Sequence, residues 1–161
     1  MGASRVNHVS VSGTDLAASA AFYEDLLGAV VIPSPDFGFP VQWMALGDTQ
    51  LHIFHSDVEP TIQHHFGVEV ELDVLVAAYR HCAERGILEG ETFGGHLIGL
   101  PGDVVQLYLR DPSGNLVELD ADGASRLPED LRGQLRPLEQ ARPQPGAHAD
   151  ARLYIGAERP A

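Results

Sequence analysis

Three histidines and one glutamate stand at positions where they could bind a divalent metal ion. His8, His52, His65 and Glu118 each lie in a short segment in which apolar and polar residues alternate, as in a strand with one buried face. Each of the four falls on the polar side of its segment. Gathering several ionisable groups on a sheltered surface is costly, and a divalent cation would relieve that cost. The pattern therefore predicts one metal site that uses His8, His52, His65 and Glu118.

The donor types limit which metal could be bound. Imidazole and carboxylate groups without any thiolate suit Fe²⁺, Mn²⁺, Zn²⁺, Ni²⁺ or Co²⁺. Cys82 is the only cysteine, which excludes thiolate zinc sites and disulfides within the chain, and its helical spacing places it in the core. The chain has no lysine, so Schiff-base chemistry and a lysine-tipped phosphate loop are excluded as well.

The segments that would position these donors form two copies of a βαβββ plan. The first copy reads as strand 6–12, helix 16–27 and strands 29–32, 41–46 and 50–55. The second reads as strand 65–70, helix 73–85 and strands 87–93, 104–110 and 116–120. Thr14 or Asp15 is expected to cap the first helix, while Gly28 and Gly86 end the two helices. An α+β fold of two tandem modules is predicted, with the apolar strand faces covered by the helices.

We expect one domain over residues 1–123, with modules at about 5–56 and 62–121, followed by a C-terminal extension over 124–161. In the extension, residues 128–140 predict a short helix that Pro137 should break, and residues 141–150 are typical of a linker. Residues 153–155 could add a strand. Packing of this extension across a dimer and a disordered end are both open from the sequence.

Charge and hydropathy exclude some partners. The formal net charge is −13, and residues 1–125 hold 4 arginines against 18 acidic residues, so binding to nucleic acid is not expected. No apolar run is long enough to span a bilayer, and the first residues lack a signal-peptide pattern. The sequence predicts a cytoplasmic protein that acts on a small molecule, with no membrane partner.

Two further residues are candidates for proton transfer. His96 follows Gly94 and Gly95, so it could swing over the site as an acid–base group, although a solvated loop histidine would look the same. Tyr108 lies ten residues before Glu118 on the neighbouring strand, where it could instead form a cross-strand aromatic pair. The aromatic segment 33–43 could close over a substrate or simply pack as a loop.

Three stretches resemble the vicinal oxygen chelate superfamily, which includes glyoxalase I, extradiol dioxygenases, methylmalonyl-CoA epimerases, and fosfomycin and bleomycin resistance proteins. They are VNHVSVSGTDLAASAAFYEDLLG at the start, HHFGVEVE in the middle and YLRDPSGNLVELD at the end. The resemblance implies a cup-shaped half-barrel around a metal held by His8, His65 and Glu118. His52 falls where some members supply a fourth ligand, and Tyr108 where a site tyrosine is expected. Members are usually dimers, so a homodimer is expected.

The number of ligands separates the reactions that the resemblance allows. Four protein ligands, His52 included, leave two positions for a substrate that chelates through vicinal oxygens, as in glyoxalase-like isomerase or lyase chemistry with Glu118 or Glu69 as base. Three ligands would suit an Fe²⁺ extradiol dioxygenase, but residues 100–109 contain no histidine of the kind those enzymes tend to carry. The rival of another class is a metal-free drug-binding protein of the bleomycin-resistance type.

Overall fold

The computed structural model describes residues 8–34, 40–58, 65–91 and 94–141, together with Pro143 and Leu153. The chain divides into two compact units. The first contains Met1–His64 and Arg110–Asn115, and the second contains His65–Leu109 and Leu116–Ala161. Parts of the predicted segments, namely 35–39 of the aromatic loop and most of the linker and strand beyond 141, lie outside the described residues.

The first unit is built on a four-stranded sheet. Its elements are β1 (His8–Gly13), α1 (Leu16–Leu27), β2 (Val30–Ile32), β3 (Val41–Leu46) and β4 (Thr49–His55). The strand order is β1-β4-β3-β2, in which β1 and β4 are parallel and the other pairs are antiparallel. Its buried apolar residues include Ala20, Tyr23, Met44, Leu51 and Ile53. This is the predicted βαβββ order.

Helix α1 has the bounds that its capping residues predict. The carboxylate of Asp15 accepts a hydrogen bond from the backbone N–H of Ala18 at 3.0 Å, which satisfies a donor at the start of the helix. Gly28 ends the helix in the left-handed conformation, with φ of 64°. Of the two candidate caps, Asp15 is therefore the one that serves.

The second unit has a five-stranded sheet. Its elements are β5 (His65–Glu69), α2 (Leu72–Arg85), β6 (Leu97–Leu100), β7 (Val104–Arg110), β8 (Leu116–Asp122), α3 (Glu129–Arg132), β9 (Leu135–Pro137) and α4 (Leu138–Ala141). The strand order is β5-β8-β7-β6-β9, with β5 parallel to β8 and β6 parallel to β9. Cys82 is fully buried on α2, as predicted. The buried apolar residues here include Leu75, Ala78, Leu97, Val105, Leu107, Leu109, Val117 and Leu119.

The sixth strand was predicted ten residues too early. Residues 87–93 were expected to form it, but in the described part of that range, 87–91, only Leu88 makes a bridge, an isolated one to Leu109. The strand itself is β6, whose Leu97 pairs with Leu107 of β7. The reason is that residues 89–91 include two glutamates and a glycine, whereas residues 97–100 offer an apolar run that the core can bury.

The extension also differs from its prediction. In place of one helix over 128–140, two single-turn helices, α3 and α4, flank the short strand β9. Gly133 follows α3, and residues 135–137 pair with β6. Proline disrupts a helix that would run through it, so the residues before Pro137 pair with the edge of the sheet instead. Within the described ranges, no helix is long and apolar enough to cross a bilayer.

Candidate functional site

In the first unit, the predicted donors belong to a stack of three rings. The sheet register pairs His52 with Trp43 on β3 and with Ser10 on β1. The ring of His52 stacks on Trp43 at 4.1 Å with an interplanar angle of 3°, and on His8 at 4.5 Å and 16°. His52 is buried, and its Nε2 lies 3.0 Å from Oε1 of Gln50. Burial lowers the pKa of His52, and the neighbouring His8 lowers it further.

This stack limits what His8 and His52 can do together. The lone pair of an imidazole nitrogen lies in the plane of its ring, so a metal ion must lie close to that plane. Two rings that stack nearly parallel direct their lone pairs at separate points. In this arrangement His8 and His52 do not converge on a single ion, and His52 has stacking and hydrogen-bond partners of its own.

In the second unit, a histidine and a carboxylate meet on neighbouring strands. Strand β5 pairs with β8 so that Gly67 lies opposite Glu118. Nε2 of His65 lies 3.2 Å from Oε2 of Glu118, whose side chain is almost wholly buried. A Cβ atom added to Gly67 would lie 2.8 Å from Oδ2 of Asp120. The absence of a side chain at residue 67 therefore gives the two carboxylates their room.

Gln106 on β7 holds the carboxylates in place. Its Nε2 donates to Oε1 of Glu118 and, at 3.1 Å, to Oδ1 of Asp120. Its Oε1 in turn accepts a hydrogen bond from the hydroxyl of Tyr108 at 3.1 Å. The Tyr108 hydroxyl thus fixes the orientation of the amide, and the amide fixes the carboxylates. The ring of Tyr108 also lies edge-on to His65, with centroids 6.3 Å apart.

The acidic cluster is electrostatically costly. Burial, followed by the adjoining Glu118, raises the pKa of Asp120 to about 8, although the hydrogen bond from Gln106 acts in the opposite direction. Burial also raises the pKa of Tyr108 far above its usual value, and the charges of Glu118 and Asp120 raise it further. The Tyr108 hydroxyl is therefore protonated at neutral pH and acts as a hydrogen-bond donor.

His96 immediately precedes β6. Its carbonyl accepts a hydrogen bond from the N–H of Tyr108 at 3.0 Å, which continues the pairing of β6 with β7. A Cβ on Gly90 would lie 2.6 Å from Cε1 of His96, so the ring packs directly over this glycine. Nδ1 of His96 is buried and has no hydrogen-bond partner in the described part of the chain.

The sequence did not single out Gln106 or Asp120 as site residues. The two-residue period of a strand could have indicated them, because residues two apart lie on the same face. Gln106 precedes Tyr108 by two residues, and Asp120 follows Glu118 by two. Of the other histidines, His55 is exposed and His81 contacts Arg85, while His148 lies outside the described residues.

The donor chemistry of the second unit fits a divalent cation. Glu118 brings a buried carboxylate oxygen within 3.2 Å of an imidazole nitrogen, and the adjoining Asp120 adds acidic charge that a cation would offset. Among the described residues, however, no group of three or more histidine, cysteine, aspartate or glutamate side chains is arranged to hold a metal ion.

Comparison with known proteins assigns the family. Residues 5–119 match the sequence profile of the Glyoxalase/Bleomycin resistance protein/Dioxygenase superfamily. The mitochondrial methylmalonyl-CoA epimerase of Homo sapiens is 33% identical over 132 residues, which cover 72% of this chain and 73% of that protein. The ethylmalonyl-CoA/methylmalonyl-CoA epimerase of Cereibacter sphaeroides is 34% identical over 134 residues, covering 72% of this chain and 96% of that protein.

Solved structures agree with the fold. The fosfomycin resistance protein FosX from Listeria monocytogenes superposes with a TM-score of 0.63 at 17% identity, covering 77% of this chain and 96% of that one. A lactoylglutathione lyase from Agrobacterium tumefaciens gives 0.55 at 23% identity, covering 74% and 95%. The chain belongs to the Glyoxalase/Bleomycin resistance protein/Dioxygenase superfamily, which confirms the predicted fold and resemblance. Within it, the epimerase relatives make the chain an enzyme of the isomerase type.

Proposed function

We propose that this chain is an epimerase that inverts the carbon lying between the thioester and the free carboxylate of a 2-carboxyacyl coenzyme A. The substrate class comes from its relatives, whose names give methylmalonyl-CoA and ethylmalonyl-CoA. The observation that carries the chemistry is the buried carboxylate of Glu118, held by Gln106 and adjoined by His65. Such a group is suited to remove a weakly acidic proton at a fixed position.

The reaction needs only proton transfers. A base removes the proton on the carbon next to the thioester carbonyl, and the electron pair of the broken C–H bond delocalises onto the carbonyl oxygen. The proton that returns on the opposite face completes the inversion. No electrons are gained or lost and no group leaves, so the enzyme must supply one proton acceptor, one proton donor and stabilisation of the transient negative charge.

Glu118 is assigned as the proton acceptor. One of its oxygens accepts from Gln106 and the other faces His65, so the carboxylate cannot rotate freely. Tyr108 acts through Gln106, because its hydroxyl donates to the amide oxygen and turns the amide N–H toward Glu118. Tyr108 is thus a positioning residue in this scheme.

His96 is assigned as the group that returns the proton. Its Nδ1 is buried and lacks a hydrogen-bond partner among the described residues, so the fold there does not use this nitrogen for its own hydrogen bonding. The backbone N–H of Tyr108 donates to the carbonyl of His96, so His96 lies next to the residue that orients Gln106. Two acid–base groups, one acidic and one imidazole, match the two faces of the carbon that is inverted.

A divalent metal ion is part of the proposal. His8, His65 and Glu118 are the residues we assign to hold it, because they combine the superfamily resemblance with donor types that Fe²⁺, Mn²⁺, Zn²⁺, Ni²⁺ and Co²⁺ accept. A bound ion of this kind would supply Lewis-acid stabilisation of the negative charge that develops on the thioester oxygen. His52 is assigned to support the ring of His8 through their stacking contact.

The proton transfers can be followed by NMR in D₂O with one epimer of methylmalonyl-CoA. We expect Glu118→Gln to slow both deuterium exchange and inversion by about 10²–10⁴-fold. His96→Gln should slow inversion while exchange at the same carbon continues, because removal and return of the proton then occur on one face. Glu84→Gln, which removes an exposed carboxylate on α2, is the control and should keep both rates. Wild-type inversion rates in Glu118→Gln would overturn the assignment.

Metal binding can be measured separately from turnover. Elemental analysis of untagged protein purified without added metal should find one first-row metal ion per chain in wild type and in His52→Gln. His65→Ala and Glu118→Gln should lose most of it. If His52→Gln lost as much metal as His65→Ala, His52 would be a metal ligand. Absence of metal from wild type even after reconstitution would overturn the metal assignment.

A further inference from the structure

The C-terminal extension completes the sheet that carries Glu118. The family match ends at residue 119, yet β9 (Leu135–Pro137) lies beyond it and pairs in parallel with β6. The extension therefore adds a fifth strand that the family profile does not include. Any side chain that β9 places on the same face as Glu118 lies outside the part of the chain that the family profile describes.

The register places Arg136 on that face. Ile98 of β6 pairs with Gln106 of β7 on one side and with Arg136 of β9 on the other. Directly paired residues of neighbouring strands project to the same side of a sheet. Because Gln106 binds Glu118, the face that carries Glu118 extends across Ile98 to Arg136.

A second contact brings the extension onto the same face. Leu138 of α4 packs against a buried cluster formed by Ile98, Tyr108 and Leu116. Tyr108 is the residue whose hydroxyl orients Gln106. The extension therefore packs against the side chains that support the candidate site as well as lengthening the sheet.

Arg136 differs from the other arginines of the described extension. Arg126 pairs with Asp122 at 3.2 Å, and Arg132 donates to the carbonyl oxygens of Ser125 and Leu127. Arg136 is exposed, and no acidic side chain within the described ranges forms an ion pair with it. Among the residues that the structure describes, Arg136 is thus a cation without a hydrogen-bond or ion-pair partner.

A glycine directs the Arg136 side chain. A Cβ atom on Gly95 would lie 2.8 Å from Cδ and 3.3 Å from Nε of Arg136, so the arginine stem lies across the space that a larger residue would fill. Gly95 directly precedes His96. The guanidinium is therefore held near the segment that carries the proposed proton donor, in a chain whose first 125 residues hold only 4 arginines against 18 acidic residues.

We propose that Arg136 binds an anionic group of the substrate and thereby sets specificity for a charged acyl thioester; this rests on the proposed function. A guanidinium recognises carboxylates and phosphates with paired hydrogen bonds. A 2-carboxyacyl coenzyme A offers both, in its free carboxylate and in the phosphates of its carrier. An acidic protein that takes such a substrate needs a local cation on the binding face.

Calorimetric titration of the purified full-length protein tests this assignment. The probes are malonyl-CoA, acetyl-CoA, which lacks the free carboxylate, and malonyl-pantetheine, which lacks the phosphates. We expect Arg136→Gln to weaken binding of malonyl-CoA by about ten-fold or more. Arg126→Gln, which removes the same charge from an exposed arginine, is the control and should bind like wild type. Gly95→Ala, which keeps the charge but displaces the stem, should weaken binding in the same direction.

The three probes identify the contact. A loss for both malonyl compounds but not for acetyl-CoA assigns Arg136 to the carboxylate, and a loss for both coenzyme A thioesters but not for malonyl-pantetheine assigns it to a phosphate. Equal affinities in Arg136→Gln and Arg126→Gln for all three, or no binding of any by wild type, overturn the proposal. Binding that depends on Arg136 without inversion of methylmalonyl-CoA would overturn the epimerase assignment alone.

Discussion

The two units bury carboxylates in opposite ways. In the first unit, Asp111 accepts four hydrogen bonds, from the Tyr23 hydroxyl, the backbone N–H groups of Ser113 and Asn115, and the Asn115 side chain. In the second unit, Glu118 and Asp120 adjoin each other and share the amide of Gln106. A buried carboxylate that accepts a full set of hydrogen bonds stabilises the fold, whereas two buried acids in contact with each other destabilise it.

This difference separates structure from function. The Asp111 cluster ties the 110–115 turn to the start of its unit, since the N–H of Thr14 and the hydroxyl of Ser19 reach the Ser113 side chain. The hydrogen bonds within this cluster account for its buried polar groups without any ligand. In the Glu118 cluster, by contrast, two adjoining acids share one amide donor, and the pKa of Asp120 is raised. Strain that the fold does not need is typical of sites that bind or react.

The largest expected effect on stability comes from removing the charge of Asp111, the carboxylate that accepts four hydrogen bonds. Asp111→Asn should destabilise the protein by about 2–4 kcal/mol, because its amide N–H₂ would face donors where the carboxylate accepted from them. Urea unfolding at pH 7 measures this loss. Tyr23→Phe, which removes one donor only, should cost about 1–2 kcal/mol and is the graded control. An unchanged midpoint in Asp111→Asn would show that the cluster does not hold the unit together.

A matched pair of glycines tests whether the second cluster is the functional one. A Cβ on Gly13 would lie 2.6 Å from Cγ2 of Ile53, and one on Gly67 would lie 2.8 Å from Oδ2 of Asp120. Both alanine variants should lose about 1–3 kcal/mol, because each overpacks a close contact. Only Gly67→Ala should also lower the inversion rate per folded molecule, by about ten-fold or more.

Unfolding measured beside kinetics separates the two effects of these substitutions. If Gly13→Ala lowered the rate as much as Gly67→Ala at equal folded fraction, the contrast between a structural and a functional unit would fail.

Much of the fold could be predicted because local signals agreed with the tertiary structure. Helix α1 has a capping aspartate and a terminal glycine, and its bounds are those predicted. Strand β6 was misplaced because two candidate segments lie close together and only pairing with β7 decides between them. Strand β9 was missed since three residues carry too little pattern to predict a strand.

The candidate site was predictable only as donor types on strand faces. Alternation correctly placed His65 and Glu118 on neighbouring positions of one face, since β5 and β8 pair directly. It could not reveal that Gln106 would link Glu118 with Asp120, because that depends on which strand is inserted between β8 and β6. Nor could it show that His52 would stack between two rings.

Alkaline pH should weaken the second unit first. Burial raises the pKa of Cys82 from 9.0 to about 11, although the nearby Arg85 acts in the opposite direction. Between these values the unfolded chain has released the thiol proton and the folded chain has kept it, so stability falls as pH rises. The loss from this group at pH 10 should be roughly 1 kcal/mol relative to neutral pH.

Urea titrations of wild type and Cys82→Ala at pH 8 and pH 10 measure that loss. The variant should show the smaller decrease. In the first unit, burial and then Asp111 raise the pKa of Tyr23 well above its usual value, and this phenol should weaken the fold only at still higher pH. Parallel losses in wild type and Cys82→Ala would assign the alkaline weakness elsewhere.

The smallest expected effect has the opposite sign and completes the comparison. Asp120→Asn should leave stability unchanged or raise it by about 1 kcal/mol, because the amide N–H₂ can donate to Glu118 while the amide oxygen still accepts from Gln106. The same change of carboxylate to amide that damages the first unit would thus remove the cost of burying two neighbouring acids in the second. Urea unfolding of Asp111→Asn and Asp120→Asn beside wild type measures both effects. A loss at residue 120 as large as that at residue 111 would show that both clusters are structural.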